Sequence, residues 1–187
     1  MIIGVTGSLS SGKSTVSKLI GKKKYPIFSA DKAVHDLYKN ISFVKNLKNK
    51  LNLKRNVNIK KEIKKLIFFN KNNLKKIEKF VHPHVRKRMY KFIKKNRKKK
   101  IAVLEIPLLI ESKLMRNFDL IIFVYSSKKN RLKRYISKGG TISFFNLLDK
   151  NQITVKNKIK KCDHVLNNNK SLRILKTNVK NLISNYE

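Results

Sequence analysis

MIIGVTGSLSSGKSTVSKLI, residues 1–20, is the stretch on which the reading of the whole chain turns. "MIIGVT" is a short apolar run ending at Gly7, the pattern of a strand covered on both faces, and Val16, Leu19 and Ile20 follow at helical spacing. Between them, Gly7-Ser8-Leu9-Ser10-Ser11-Gly12-Lys13-Ser14 satisfies G-x-x-x-x-G-K-S/T without a mismatch, in a strand, loop, helix setting. The physical need behind such a stretch is to hold a polyphosphate. Glycines at 7 and 12 let backbone amides approach phosphate oxygens, and the first turn of the helix adds its unpaired N–H groups and positive dipole end. On this reading Gly7, Ser10, Ser11 and Gly12 form the cradle. Lys13 neutralises the β and γ phosphates, the Ser14 hydroxyl ligates Mg²⁺, and Thr15 supports the α-phosphate end. The bland alternative, a turn that merely caps a helix, needs two of only six glycines to fall at matching places by chance.

Further strands and helices alternate beyond this point. "YPIFSA" (25–30) reads as a second strand with Asp31 at its carboxyl end, followed by a helix over about 32–38. Residues 41–100 change character: glycine is absent, lysine recurs, and Ile63, Leu66, Ile67, Leu74, Ile77, Phe80 and Val81 fall at helical spacing. This stretch is expected to be a helical insert packed by its aromatics, Phe68, Phe69, Phe80, Tyr90 and Phe92. "IAVLEI" (101–106), stopped by Pro107, "DLIIFVY" (119–125) and "DHVLN" (163–167) complete five strands, and a last helix runs from Ser171 through Leu182. Strands separated by helices predict a parallel sheet with helices on both sides.

The formal charge of +37 suggests an anionic partner, but the composition offers a plainer cause. Lysine outnumbers arginine 39 to 8, and 21 Asn and 21 Ile stand against 3 Ala, a profile of A/T-rich coding. Nonspecific, salt-sensitive adhesion to polyanions is expected, without specific nucleic-acid recognition. Carboxylates number only ten, so each is informative. The single Cys162 excludes an internal disulfide and fits a reducing compartment. The longest apolar runs are far shorter than the roughly 18 residues of a membrane span, and the N-terminus lacks the pattern of a secretion signal, so a cytoplasmic protein is expected.

A P-loop alone does not separate a kinase from a GTPase, but an N-K-x-D base-reading motif is missing late in the chain. Small-molecule kinases place an acid at the end of the second strand, where Asp31 stands, and such an acid can take or orient the proton of an attacking hydroxyl. The alternative for Asp31 is an N-cap of the following helix. "GVTGSLSSGKSTV", "SADKAVH", "HPHVR" and "VLEIPLLIES", in this order and at these separations, resemble the dephospho-coenzyme A kinases. Gln152, Lys158, "CDHVLNN" and Ser171 follow the same spacing, so the resemblance spans nearly the whole chain.

The resemblance implies a three-layer α/β/α P-loop NTPase core with a five-stranded parallel sheet, a helical substrate-binding insert (41–100) and a lid (about 138–155). It also implies transfer of the γ-phosphoryl of ATP to the ribose 3′-hydroxyl of dephospho-coenzyme A, with Mg²⁺; a monomer or weak homo-oligomer is expected. Asp31 is then the base and Glu105 the acid near the metal. Leu108, Leu109 and Glu111 line the acceptor side with His82 and Arg86 of the insert, while Arg134, Lys138 and Asn168 join the P-loop around ATP. His82-Pro83 has a second reading as a helix break, and Leu108 and Leu109 as core residues. Three departures stand out. Ser8 and Ser10 replace common glycines and are expected at negative φ, and Ser29 replaces the first Asp of a "DAD". Lys138-Gly139-Gly140 stands where arginine usually precedes an acidic-glycine turn. Lysine makes no two-pronged phosphate contact, so a weakened lid and a slow enzyme are expected unless Arg131 or Arg134 substitutes.

Overall fold

Along the first strand, β1 (Ile2–Thr6), every residue is buried, and alternate side chains enter different surroundings. Ile3 and Val5 belong to a core cluster with Val16 and Ile20 of helix α1 (Lys13–Gly21) and with Leu175, Val179 and Ile183 of the last helix, α9 (Leu172–Ser184). On the opposite face a side chain at Gly4 would collide with Leu109 and Phe118, its Cβ lying 2.8 and 2.9 Å from their atoms. A strand so enclosed has to be apolar throughout, which is why "MIIGVT" shows no polar alternation. The computed structural model describes residues 1–22, 24–54, 56–70 and 72–187.

The remaining elements follow in order as β2 (Ile27–Ser29), α2 (Ala30–Leu37), α3 (Ile41–Lys50), α4 (Ile59–Phe69), α5 (Asn72–Asn96), β3 (Ala102–Glu105) and β4 (Leu120–Tyr125). They close with α6 (Lys128–Ile136), α7 (Ile142–Lys150), α8 (Val155–Ile159), β5 (His164–Asn167) and α9. The sheet is parallel throughout, with strand order β2-β3-β1-β4-β5. The expected five-stranded α/β architecture is present.

Register puts the functional loops on one edge. Val5 pairs with Glu105 and Glu105 with Ser29, while Tyr125 pairs with Asn167. The segments that leave the carboxyl ends of β1, β3, β4 and β5 therefore emerge together, on both sides of the point where the order reverses around β1. At the opposite edge two aspartates satisfy strand-end amides: Asp119 Oδ2 accepts from Ile2 N and Asp163 Oδ2 from Ile121 N, each at 2.7 Å.

The chain divides into two compact units, Met1–Ser29 with Ile93–Glu187, and Ala30–Phe92. The second takes in α2 as well as the lysine-rich helices, so it begins earlier than residue 41 and ends before 100. Its helices are opened by asparagines: Asn40 accepts from Phe43 N, and Asn58 from Lys60 N and Lys61 N. Phe43, Leu47, Ile59, Ile67, Ile77, Val81 and Met89 are among its buried side chains, and Phe43 meets Phe80 and His84 edge-on or tilted. Not all the aromatics pack: Phe68, Phe69 and Tyr90 are 59, 88 and 47 % exposed, against the expectation that they fill the insert. Helix α5 also runs through Pro83, so His82-Pro83 does not end a helix. The ring is exposed, and the long helix absorbs one missing N–H donor. Among the described residues no helix is long and apolar enough to cross a membrane.

Candidate functional site

The loop after β1 is shaped by torsions that few residues adopt. Gly7 has φ 153° and Gly12, the residue before α1, has φ 100°. A side chain at Gly12 would overlap Asn168, with Cβ 2.1 Å from Nδ2, and one at Gly7 would press on the Val124 carbonyl at 2.6 Å. Both glycines are thus required twice, for torsion and for space. Ser10 departs from expectation: its φ is 57°, not negative. Serine in this left-handed region costs roughly 1–2 kcal/mol, so the chain keeps at some expense a backbone that glycine would adopt freely.

Side chains then converge on this loop. Lys13 is 7 % exposed and its Nζ donates to Gly7 O at 3.2 Å and Ser8 O at 2.9 Å, arching over the turn. Ser14, exposed in the first turn of α1, donates from Oγ to Glu105 Oε1 at 2.5 Å. Glu105 is buried at the carboxyl end of β3, so hydroxyl and carboxylate oxygens of two elements meet at one point. Such hard oxygen donors suit Mg²⁺, which takes few protein ligands and keeps water and phosphate in its other positions. Among the described residues no group of three or more His, Cys, Asp or Glu stands together. Thr15 is exposed beside Ser14, and Ser11, within the loop, is fully buried.

The loops after β4 and β5 brace the P-loop from the other side. Asn168 Nδ2 donates to Ser11 O at 2.8 Å. Arg134 of α6 donates to Ser11 O at 3.2 Å, to Ser126 Oγ at 3.1 Å and to Asn168 O at 2.8 Å. Asn169 Oδ1, which sequence reasoning did not single out, accepts from Ser127 N at 2.8 Å and Asn130 Nδ2 at 3.2 Å and holds the β4–α6 turn. Arg131 is 4 % exposed; it forms a two-pronged pair with Asp149 at 2.5 and 3.2 Å and donates to Leu9 O at 3.3 Å. Arg131 is thus buried and Arg134 half-buried, both bonded to P-loop carbonyls, while Lys138, just past α6, is exposed.

On the acceptor side the expectations divide. Leu109 is fully buried under β1 and belongs to the core, which corrects its assignment to a lining position; Leu108 is half-buried. Glu111 is engaged within its own unit, paired to Lys158 at 2.7 Å. Asp31 lies inside the first turn of α2, as its second residue, and is exposed; it does not precede the helix as an N-cap would. His82 and Arg86 stand one turn apart on α5, both half-buried. The Cys162 thiol donates to Lys158 O at 3.2 Å and is pushed up to about 11, first by burial and then by Asp163, so it stays protonated and unreactive.

Burial, and then the nearby Arg86 charge, lower the His82 pKa below its ordinary 6.5. Below about pH 6.5 the unfolded chain takes up a proton here that the folded chain resists, so this group removes stability as pH falls, until its folded pKa is passed. His82→Gln is therefore expected to flatten the loss of unfolding free energy between about pH 7 and 5, read by urea titration beside the wild type. Superimposable slopes for the two proteins would exclude the effect.

A parallel sheet with β1 central, a glycine-cradled polyphosphate loop, and a serine hydroxyl against a strand-end glutamate together define a P-loop kinase. Comparison with known proteins narrows this. The family model for dephospho-CoA kinase matches residues 1–173, and the chain belongs to that family. It is 34 % identical over 180 residues to a dephospho-CoA kinase of Fusobacterium nucleatum, covering 94 % of this chain and 93 % of that one. The Rickettsia prowazekii dephospho-CoA kinase is 31 % identical over 188 residues, covering 100 % and 98 %. Among solved structures, a Thermus thermophilus protein superposes with a TM-score of 0.80 at 26 % identity, over 99 % of this chain and 97 % of that one. A shikimate kinase of Acinetobacter baumannii, at 12 % identity and a TM-score of 0.54 over 98 % and 93 %, shares the fold alone.

Proposed function

We propose that this protein transfers the γ-phosphoryl group of ATP to the ribose 3′-hydroxyl of dephospho-coenzyme A in the cytoplasm, giving coenzyme A and ADP. The observation that carries the reading is the meeting of Ser14 and Glu105 at 2.5 Å beside the Gly7–Ser14 cradle, in a chain of the dephospho-CoA kinase family.

Loop amides and the opening turn of α1 bind the phosphates. Lys13, already held over the loop, supplies a positive charge where the transferring group gathers negative charge. Ser14 and Glu105 would hold Mg²⁺, which offsets charge on the β and γ oxygens when bound. Asn168 and Arg134 keep the Ser11 carbonyl, and with it the loop, in place before nucleotide arrives. Asp31 accepts the proton of the attacking hydroxyl, and His82, Arg86 and Leu108 contact the acceptor, with Lys138 closing over the phosphates. Catalysis is then positioning and charge stabilisation without a covalent enzyme intermediate.

The test is direct. Purified protein is incubated with Mg-ATP and, in parallel, dephospho-coenzyme A, shikimate, a nucleoside panel and no acceptor, and the products are weighed and mapped. The expected result is ADP release that depends on dephospho-coenzyme A, with one phosphoryl group added at the 3′ oxygen. Faster turnover of another acceptor, or addition elsewhere on the molecule, would overturn the assignment.

A further inference from the structure

Lys158 is fully buried, an unusual place for a lysine in a chain that carries 39 of them mostly at its surface. An ammonium removed from water is costly unless it is paired and hydrogen-bonded. Here it has two partners from different segments. Glu111 Oε1 lies 2.7 Å away in the turns that follow β3, and Gln152 Oε1 accepts at 3.0 Å from just beyond α7. Glu111 is one of only ten acids in the chain, and its side chain is 17 % exposed.

Magnitudes separate two explanations. If the pair served stability alone it would be a poor device, because replacing a buried ion pair by apolar groups of similar volume is often neutral or stabilising by about 1–4 kcal/mol. What such a pair does well is select one arrangement of the segments that carry it. The segment selected here is 107–114. It consists of successive turns, closed by Ser112 N to Leu108 O at 2.9 Å, Lys113 N to Ile110 O at 3.0 Å and Leu114 N to Leu109 O at 3.1 Å. Lys113 in it adopts a φ of 54°. It starts two residues after Glu105, and its Pro107 carbonyl accepts from Thr6 Oγ1 at 3.1 Å, just before the P-loop.

We propose that Lys158 is a positioning residue for the phosphoryl acceptor: through Glu111 it fixes the 107–114 segment, and through Gln152 it ties that segment to the end of α7. Glu111 is then held by Lys158 and does not serve as a direct ligand of the acceptor. This rests on the kinase reading above, since the acceptor is the one named there.

The test compares Lys158→Met, Glu111→Gln, the double variant and Gln152→Ala with wild type. In Lys158→Met the acceptor KM rises by roughly ten-fold while the ATP KM stays within about two-fold, because the loss falls on one substrate's site. The double variant is no worse than the poorer single one, since both remove one interaction. Gln152→Ala leaves the ion pair intact and folds; its acceptor KM rises by about two- to three-fold, and this variant decides the matter if Lys158→Met does not fold. Hydrogen exchange, which needs no substrate, is expected to quicken at the amides of 108–114 and not at those of 7–14 in Gln152→Ala and Lys158→Met. Lower thermal stability with both KM values unchanged, equal losses on ATP and acceptor, or unchanged exchange in 108–114 would each overturn the proposal. Wild type that leaves dephospho-coenzyme A untouched would instead bring down the kinase reading, with the exchange experiment still judging whether Lys158 holds the segment.

Discussion

Lys13→Ala lowers turnover by about 10²–10³-fold, equivalent to roughly 2.7–4 kcal/mol, the loss found when one preorganised electrostatic donor is removed from an active site. The Lys13 ammonium sits on the P-loop itself. It is nearly buried and hydrogen-bonded to Gly7 O and Ser8 O, so it is already on the loop that receives the phosphates and has little freedom to lose when nucleotide binds. Its charge matters most when the transferring group is most negative, so kcat is expected to fall by more than the ATP KM rises. The fold is expected to survive, because Ser8 O retains the Ser11 N–H at 3.2 Å and the α1 core side chains Val16 and Ile20 are untouched. Steady-state kinetics with a thermal melt of the same preparation checks both halves. A variant with wild-type kcat would remove Lys13 from the mechanism.

The parts of the fold that were legible were those where a run of residues has one physical explanation. β1, β3 and β4 are buried along nearly their whole length, and the largely apolar runs that form them, the first two stopped by Gly7 and Pro107, read as strands. The P-loop was equally legible because its spacing encodes a torsion and a charge at once. What could not be read was pairing between distant segments. Arg131 with Asp149 and Lys158 with Glu111 are 18 and 47 residues apart, and no periodicity marks either pair. Likewise, no sequence pattern showed that Arg131 and Arg134 would hydrogen-bond P-loop carbonyls, at Leu9 O and Ser11 O.

The scarcity of acids was a sound clue whose scope needed narrowing. Glu105 meets Ser14, but Asp119 and Asp163 satisfy strand-edge amides, and Glu111 and Asp149 neutralise buried cations. An acid in this chain is seldom idle, yet it more often answers a structural need than a chemical one. Ser10 misled for a different reason. A serine says nothing of its own torsion, and only the tightness of the loop forces it to a positive φ.

Asp31→Asn is the sharper test, because it separates the acceptor chemistry from nucleotide binding. Among the acids, Asp31 is exposed and stands in the first turn of α2. In the chain it follows Ser29, the last residue of β2, by two residues. A carboxylate there can accept a proton from a sugar hydroxyl; the amide keeps size and shape but offers no site for it. Turnover is therefore expected to drop by about 10²–10⁴-fold, the usual contribution of a positioned base, with the Kd for Mg-ATP unchanged within about two-fold. Because the residue is exposed and the change isosteric, stability is expected to move by no more than about 0.5 kcal/mol. Calorimetric titration with a non-hydrolysable ATP analogue, beside turnover on dephospho-coenzyme A, decides between the roles. Lost turnover with intact nucleotide binding assigns Asp31 to the acceptor, whereas weakened Mg-dependent nucleotide binding moves it to the metal and leaves the hydroxyl's base to be found elsewhere.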